Sequence, residues 1–324
     1  MSGRPDAGAL AAVVPTRGES PHLEACLAAL RDDGCGEIVL VVQGAGERAA
    51  ALRRLEPLVD RWLERDVNLG FAAGTNLGFA ASASPFVATV NDDAVVRPGW
   101  CQAILGALAA DPRAVAAQGV NLRLDDPATV DGAGLAWNRW WQAVQLGRGT
   151  PAPAEGAEPH EVFGVSATAA VYRRAALAGV RRLAGAGGGG AFDERLVSWY
   201  EDADLAVRLR AAGGRALSVP AARALHAGGA TGGRRPVRYA SLLYANRWLA
   251  VMRLLGRRLP LAKPRLLTRD LADLAQGRVG AVALAAAWLR VMRRCSGFAH
   301  LGAPLVAPAV LVRLSAETWQ ARGG

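Results

Sequence analysis

A doubly wound α/β fold with a mostly parallel sheet and a C-terminal helical extension is predicted by three observations. Short apolar runs alternate with segments of helical spacing through the first ninety residues. That alternation means right-handed crossovers and a sheet covered on both faces. An acidic cluster, T-V-N-D-D-A from Thr89 to Ala94, sits where a strand hands over to a loop. Ligands of such sheets bind beyond the carboxyl ends of strands. From Val237 onward the pattern turns helical and basic.

Each element has its own signal. Residues 9–14 form an apolar run that ends in Pro15, Thr16 and Arg17, a buried strand followed by a loop. Residues 23–30 have helical spacing after Ser20 and Pro21, since Pro is tolerated in a first turn. Residues 37–42 give a second strand, stopped by Gln43, Gly44, Ala45 and Gly46. Helical spacing resumes over 49–63. A turn at Asn68, Leu69 and Gly70 leads to a helix over 74–83 and a strand over 86–90.

The middle is less regular. Residues 122–134 and 147–161 are rich in Pro, Gly and Asp and read as long surface loops, often binding elements or lids. Trp137, Trp140 and Trp141 between them suit either a core or a sugar-stacking platform. The glycine run 185–190 follows no strand and lacks dinucleotide spacing, and there is no Walker sequence. Trp199 to Leu205, W-Y-E-D-A-D-L, opens a helical pattern that ends at Gly213. Residues 239–255 and 266–274 are amphipathic. The expected division is an α/β catalytic domain over 1–236 and a basic helical region over 237–324.

Composition sets the class. With 52% hydrophobic and 20% charged residues the chain is globular rather than disordered. From Arg247 to the end, 13 Arg plus Lys face 3 acids, a balance of +10, while the preceding 246 residues hold 25 of each. The whole excess therefore belongs to the tail. Such a segment suits an anionic membrane surface, at about 1 kcal/mol for each residue that reaches it. Nucleic acid or a merely solvated basic face would also fit the charge; the membrane, not nucleic acid, is the expected partner.

Four scattered cysteines with no C-x-x-C pair argue for reduced thiols and against a zinc site or disulfide scaffold. No long apolar stretch opens the sequence, so export is not expected. Residues 295–312 run 18 positions without a formal charge, near the minimum for a span. Pro304 and Pro308 would break hydrogen bonds that lipid cannot replace. A helix lying at the interface is expected instead, with the protein cytoplasmic and peripheral on the inner face of the membrane.

Two acidic motifs carry the chemistry. At Asn91-Asp92-Asp93, a divalent ion such as Mg²⁺ or Mn²⁺ could take one or two carboxylates plus substrate phosphates. Held between diphosphate oxygens, it would neutralise charge that grows as a nucleotide leaves. An acidic turn with no ion is the plainer alternative. In Glu201-Asp202-Ala203-Asp204, first-turn acids favour the helix macrodipole without any catalytic role. A carboxylate there can also take a proton from an attacking hydroxyl, worth about 10²- to 10⁴-fold.

The surroundings of the two motifs add a resemblance. V-V-P-T-R-G (Val13 to Gly18), N-L-G-F-A-A-G-T-N (Asn68 to Asn76) and V-N-D-D (Val90 to Asp93) resemble the family 2 glycosyltransferases. So do G-V-S-A-T-A-A-V-Y-R-R (Gly164 to Arg174), the run from Phe192 to Gly213, and L-H-A-G-G-A-T around His226. The likeness covers residues 9–247 and is nearest to the branch containing rhamnosyltransferases and galactofuranosyltransferases.

The resemblance implies a GT-A fold and inverting, single-displacement transfer from a nucleotide-sugar donor. By position, Asp93 matches the metal-binding acid, with Asp92 beside it, and His226 matches a histidine that binds metal or diphosphate in some members. Asp202 matches the catalytic base and Glu201 its acceptor-contacting neighbour. Pro15, Thr16 and Arg17 match the first nucleotide loop; Gly74 and Asn76 lie where ribose or diphosphate passes, at a helix start suited to anions, and Asn68 of the same run is expected to bind substrate. Trp199 stands beside the acidic motif at the substrate. Where the family has an acid or Asn, this chain has V-V-Q-G, which leaves Gln43 to read the base.

The expected activity is metal-dependent sugar transfer to a polysaccharide or lipid-linked glycan acceptor, in cell-envelope polysaccharide or glycolipid synthesis. A nucleotidyltransferase is the rival enzyme, although V-V-P-T-R-G-E-S is a poor basic phosphate loop. A basic membrane or nucleic-acid adaptor is the non-enzymatic rival.

Overall fold

The computed structural model describes residues 7–184, 190–228, 236–298 and 304–321. Residues 185–189, all but the last position of the glycine run, and the basic stretch 229–235 lie outside the described residues. So does the 299–303 part of the expected interfacial helix.

The first half is an alternating array. Strand β1 (Leu10–Thr16) is buried along its whole length, as a central parallel strand with both faces covered must be. It lies between β2 (Glu37–Gln43) and β4 (Phe86–Val90), parallel to both. Helix α1 (Leu23–Asp32) buries Leu23, Cys26, Leu27 and Leu30 against the sheet. Helix α3 (Phe71–Ala81) covers the other face. A Cβ on Gly78 would come 2.2 Å from the Val13 side chain, and one on Gly74 would come 2.6 Å from Gln43. These two glycines, one helical turn apart, let α3 lie directly on β1 and β2.

One expected helix is cut short. The spacing over 49–63 yields only α2 (Arg48–Leu52) and a 3₁₀ segment Arg53–Leu58 containing Pro57. Residues Arg61–Arg65 instead form β3, parallel to β2 at the sheet edge. Proline lacks the N–H to continue a helix, and β2 offers the following residues an unpaired edge.

The second half makes the sheet mixed. Strand β11 (Ala169–Arg173) inserts antiparallel between β4 and β6 (Ala114–Arg123). Beyond β6 come β12 (Arg215–His226), parallel to it, and β10 (His160–Val162). Short strands β5 (Ala94–Val96) and β7 (Val130–Gly132) pair with the ends of β12 and β6. The Pro- and Gly-rich stretches read as surface loops thus hold β7, β10 and buried Val130 and Ala133. Strands β8 (Leu135–Trp137) and β9 (Ala143–Gln145) form a hairpin between them. Trp137 is core, packed edge-on against Phe163.

Helix α4 (Trp100–Ala110) and helix α5 (Arg174–Val180) cover the sheet, and α6 (Glu201–Ala211) follows the acidic motif. The C-terminal region is α7 (Val237–Leu255), α8 (Leu259–Ala275) and α9 (Ala281–Arg294). Leu249, Leu254 and Leu266 share one apolar cluster with Phe163, Leu196 and Val207. Buried Arg253 of α7 ion-pairs with Asp193 at 2.7 Å and also with Asp204 of α6. Both buried aspartates thus face a guanidinium at the seam, as burial of a charge requires.

The uncharged stretch 295–312 is not one helix. Its described parts are a 3₁₀ turn Cys295–Gly297 and α10 (Pro308–Arg313), with α11 (Ala316–Ala321) after it. Pro308 occupies a first-turn position, the place proline tolerates. Among the described residues no helix is long and apolar enough to cross a membrane.

Candidate active site

Two cavities meet at the carboxyl ends of β1, β2 and β4. The larger, about 580 Å³, is walled by Pro15, Thr16, Arg17, Gln43, Asn68 and Asp92 on one side. Arg238, Tyr239 and Leu242 of α7 close its other side. The second, about 420 Å³, holds Trp199, Glu201, Asp202 and His226. Both are bounded by Phe71, Asn91, Asp93, Ser198 and Gly228. Asp93 therefore stands at the junction, and Asp202 opens onto the same cleft.

The sheet register builds the first acidic centre. Asp93 precedes β5, whose Ala94 pairs with His226 at the end of β12. His226 Nε2 lies 3.2 Å from Asp93 Oδ1, and its Nδ1 lies 2.8 Å from Asp131 Oδ2 on β7. Burial opposes charge on this imidazole, but hydrogen bonds to Asp131 and Asp93 and their negative charges push it up to about 9. Burial would raise Asp93; its hydrogen bond to His226 and that cation's charge outweigh this and hold it low. Asp92 is different: burial and the neighbouring Asp93 charge push it up to about 6, against the hydrogen bond from Thr16. Thr16 Oγ1 donates to Asp92 Oδ2 at 2.6 Å, and Ser20 Oγ donates to its carbonyl oxygen. Asp92 thus ties the first loop to the acidic motif.

Asp93 and His226 form a two-donor pair facing the cleft, of oxygen and imidazole type. Among the described residues no group of three or more His, Cys, Asp or Glu could hold an ion unaided. The pair fits a divalent ion that draws its remaining ligands from substrate phosphate and water.

A strained loop sets the second acidic centre. Val197, Trp199 and Tyr200 all have φ between 66° and 67°, left-handed values costly for side chains of these shapes. The buried Asn246 amide of α7 donates to the carbonyls of Leu196, Ser198 and Trp199 at 2.7, 3.0 and 2.9 Å. Ala72 N–H at the start of α3 holds Val197 O from the other side. The chain leaves this loop directly into α6, so Glu201 and Asp202 sit in its first turn facing the cleft.

The two carboxylates have unlike surroundings. Asp202 is raised by burial, but Oδ1 accepts from Ala203 N–H at 2.7 Å and Oδ2 from Ala167 N–H at 3.3 Å, which favour its ionised form. Glu201 is pushed far up by burial and then by the charge of Asp202, and its Oε2 is buried with no hydrogen-bond partner among the described residues. Both carboxyls are thus raised by burial, Glu201 far more strongly than Asp202, whose two backbone donors favour its ionised form.

The sequence profile of glycosyl transferase family 2 matches residues 11–180, more than half of the 324. The chain belongs to glycosyl transferase family 2. Its fold is GT-A. GalNAc-T7, solved with UDP, GalNAc and Mn²⁺, superposes with a TM-score of 0.57 at 13% identity, over 90% of this chain and 55% of that one. The chain thus spans about half the length of that protein. The mannosyltransferase PcManGT from Pyrobaculum calidifontis, solved with GDP-Man and Mn²⁺, gives 0.51 at 19% identity, over 96% and 83%. No curated protein sequence matches this family 2 chain.

Several residues expected at the nucleotide also make contacts inside the fold. Gly74 is pressed against Gln43 and lines neither cavity. Asn76 is buried: its amide donates to Phe192 O and accepts from Phe192 N–H, anchoring the segment before the strained loop. Gln43 reaches the larger cavity, but Oε1 accepts from Leu69 N–H and Nε2 donates to Gly70 O. Both ends of its amide hold the 68–70 turn. Asn68 Oδ1 accepts from Gly70 N–H, and the residue lines the larger cavity.

Asp131 and Asn246 of this family 2 chain carried no sequence signal. One is a single acid in a stretch that reads as loop, the other a polar residue in an amphipathic helix. Arg238 and Tyr239 were readable only as part of a basic tail.

Proposed function

We propose that the protein is an inverting glycosyltransferase that moves a sugar from a nucleotide-sugar donor to a hydroxyl of a polysaccharide or lipid-linked glycan acceptor. The observation that carries this is the shared cleft, with Asp93 at the junction of two cavities and Asp202 on the wall of the second. The larger cavity takes the nucleotide and its diphosphate, between the Pro15–Thr16–Arg17 loop and α7. The second takes the acceptor, beside Trp199.

Asp93 and His226 would hold a divalent cation, Mg²⁺ or Mn²⁺, together with diphosphate oxygens. Bound there, that ion supplies positive charge where the leaving diphosphate gains negative charge. Asp131 fixes the imidazole by occupying Nδ1, which directs Nε2 to the cleft. Asp92, through Thr16 and Ser20, keeps the nucleotide loop in place.

Asp202 accepts the proton of the acceptor hydroxyl as its oxygen bonds to the anomeric carbon. The bond from that carbon to the diphosphate oxygen breaks on the opposite side. One displacement inverts the anomeric centre. Glu201, protonated, can donate a hydrogen bond to the acceptor. The likeness over residues 9–247 favours a rhamnosyl- or galactofuranosyl-type donor, and the basic C-terminal region favours work on cell-envelope glycans at the cytoplasmic face of the membrane.

A panel of nucleotide sugars with Mn²⁺ and glycan acceptors tests the reading. Release of nucleoside diphosphate with one donor, abolished by chelation, is the expected result. Release of pyrophosphate from a nucleoside triphosphate and a sugar phosphate would instead make it a nucleotidyltransferase.

A further inference from the structure

The outward sides of the C-terminal helices are apolar where a soluble surface would be polar. Of the ten large hydrophobic residues exposed among the described residues, eight follow residue 236. On α8, Leu261 is 78% exposed and Leu271 53%, with Leu267 between them. At about 3.6 residues per turn these three and exposed Pro264 share one side of the helix. Ala262, Leu266, Asp270 and Asp273 occupy the other side and are buried. Asp270 there accepts from Trp248 of α7 at 2.8 Å and Trp288 of α9 at 3.1 Å, so that side is the inner one.

Helix α9 repeats the arrangement. Val282 and Met292, 71% and 67% exposed, align with Leu289 opposite the buried Ala283, Leu284, Ala287 and Val291. Charge completes the pattern. Arg257, Arg258, Lys263 and Arg265 are exposed at the start and along the flanks of the α8 stripe. The only acids between residues 257 and 298, Asp270 and Asp273, are buried among arginines and aromatic donors. No described acidic side chain is exposed anywhere on these two helices.

We propose that the outward faces of α8 and α9 are a membrane-docking surface whose partner is an anionic lipid bilayer. Leucine, valine and methionine side chains enter the acyl boundary, while Lys and Arg reach the headgroups along its rim. Apolar burial and the attraction of lipid phosphates for the basic rim then act together. Two other occupants fit less well. A nucleic acid would satisfy the basic residues but gives the leucine and methionine stripes nothing to bury against. A second copy of the chain, docked by a two-fold axis, would set basic rim on basic rim. The membrane surface moves from the 295–312 stretch that the sequence suggests to the two helices before it. It stands on these helices alone, whatever the cleft transfers.

Co-flotation of the full chain with vesicles tests the assignment, without any sugar substrate. Vesicles of phosphatidylcholine alone are compared with equal parts phosphatidylcholine and phosphatidylglycerol. The wild type is expected to float with the anionic vesicles and to be released by high salt. Leu261→Ser with Leu271→Ser, and Val282→Ser with Met292→Ser, are each expected to weaken binding about tenfold or more. Arg257→Gln with Lys263→Gln and Arg265→Gln is expected to do the same through charge. These positions are exposed, and unchanged circular dichroism melting would verify the fold. Equal flotation with neutral and anionic vesicles would overturn the proposal. So would flotation untouched by the apolar variants, or loss in those variants of self-association or DNA binding with no vesicle uptake by the wild type. Each of these results leaves nucleoside diphosphate release, and hence the transferase reading, standing or falling by itself.

Discussion

The side-chain amide of Asn246, deep in α7, donates to the carbonyl of Trp199 at 2.9 Å, tying the C-terminal helices to the loop that aims the acidic motif. The same amide reaches Leu196 and Ser198, so one residue restrains a segment with three left-handed side-chain-bearing positions. The helical region is thereby part of the site's scaffold as well as a candidate membrane surface.

Removing that amide should release the loop. Asn246→Ala leaves three carbonyls short of a donor and is expected to cost roughly 2–4 kcal/mol of stability. Urea unfolding would measure it. Turnover of the folded fraction is expected to fall as well, because Glu201 and Asp202 follow the loop. Stability and turnover both unchanged would show that the strain is held elsewhere.

The buried ion cluster makes a second expectation. Arg253→Met leaves Asp193 and Asp204 with one fewer cation each, at a cost of about 3 kcal/mol. Arg195 and Arg208 still pair with them, at 2.6 and 2.9 Å, so the loss is expected to stay short of complete unfolding. Thermal melting under reversible conditions would show it.

Glu201 gives a pH dependence with a definite sign. Its folded pKa is raised far above the ordinary 4.5, by burial first and the Asp202 charge second. Below about 4.5 folded and unfolded states both hold the proton, and the full stability is present. As pH rises toward the folded pKa the unfolded chain ionises first, so stability is lost. Glu201→Gln removes this titration. Its melting temperature is expected to exceed the wild type's at neutral pH, with the gap closing in acid.

The sequence made the first half of the fold readable because β1, β2 and β4 are buried on both faces and bounded by turn residues. It failed over 49–63, where Pro57 and an open sheet edge outweighed helical spacing. Asp93, Asp202 and His226 were legible because they sit in motifs at strand and helix ends. Asp131 was not, since only the pairing of β7 with β6 and of β6 with β12 brings it to His226. Gln43, Gly74 and Asn76 show the opposite case. Their place in a motif suggested the nucleotide, and only the structure shows that they also serve the packing of α3 and its flanking turns.

Asp131 should matter to metal affinity without touching the ion. Asp131→Asn weakens the acceptor that fixes Nδ1 of His226, and about 10- to 100-fold weaker Mn²⁺ binding is expected. Titration of free Mn²⁺ followed by electron paramagnetic resonance would measure it, with His226→Ala as the limiting case. Affinity equal to wild type in Asp131→Asn would confine that carboxylate to a structural role.

The most direct measurement is turnover by Asp202→Asn beside its affinity for the nucleotide-sugar donor. The variant keeps the shape of the cleft and the hydrogen-bond acceptor toward Ala203 but cannot take the acceptor's proton. A loss of about 10²- to 10⁴-fold in kcat, with donor binding retained, is the expected result. Undiminished kcat would mean that the proton leaves by another route and that the facing carboxylates do not perform the transfer.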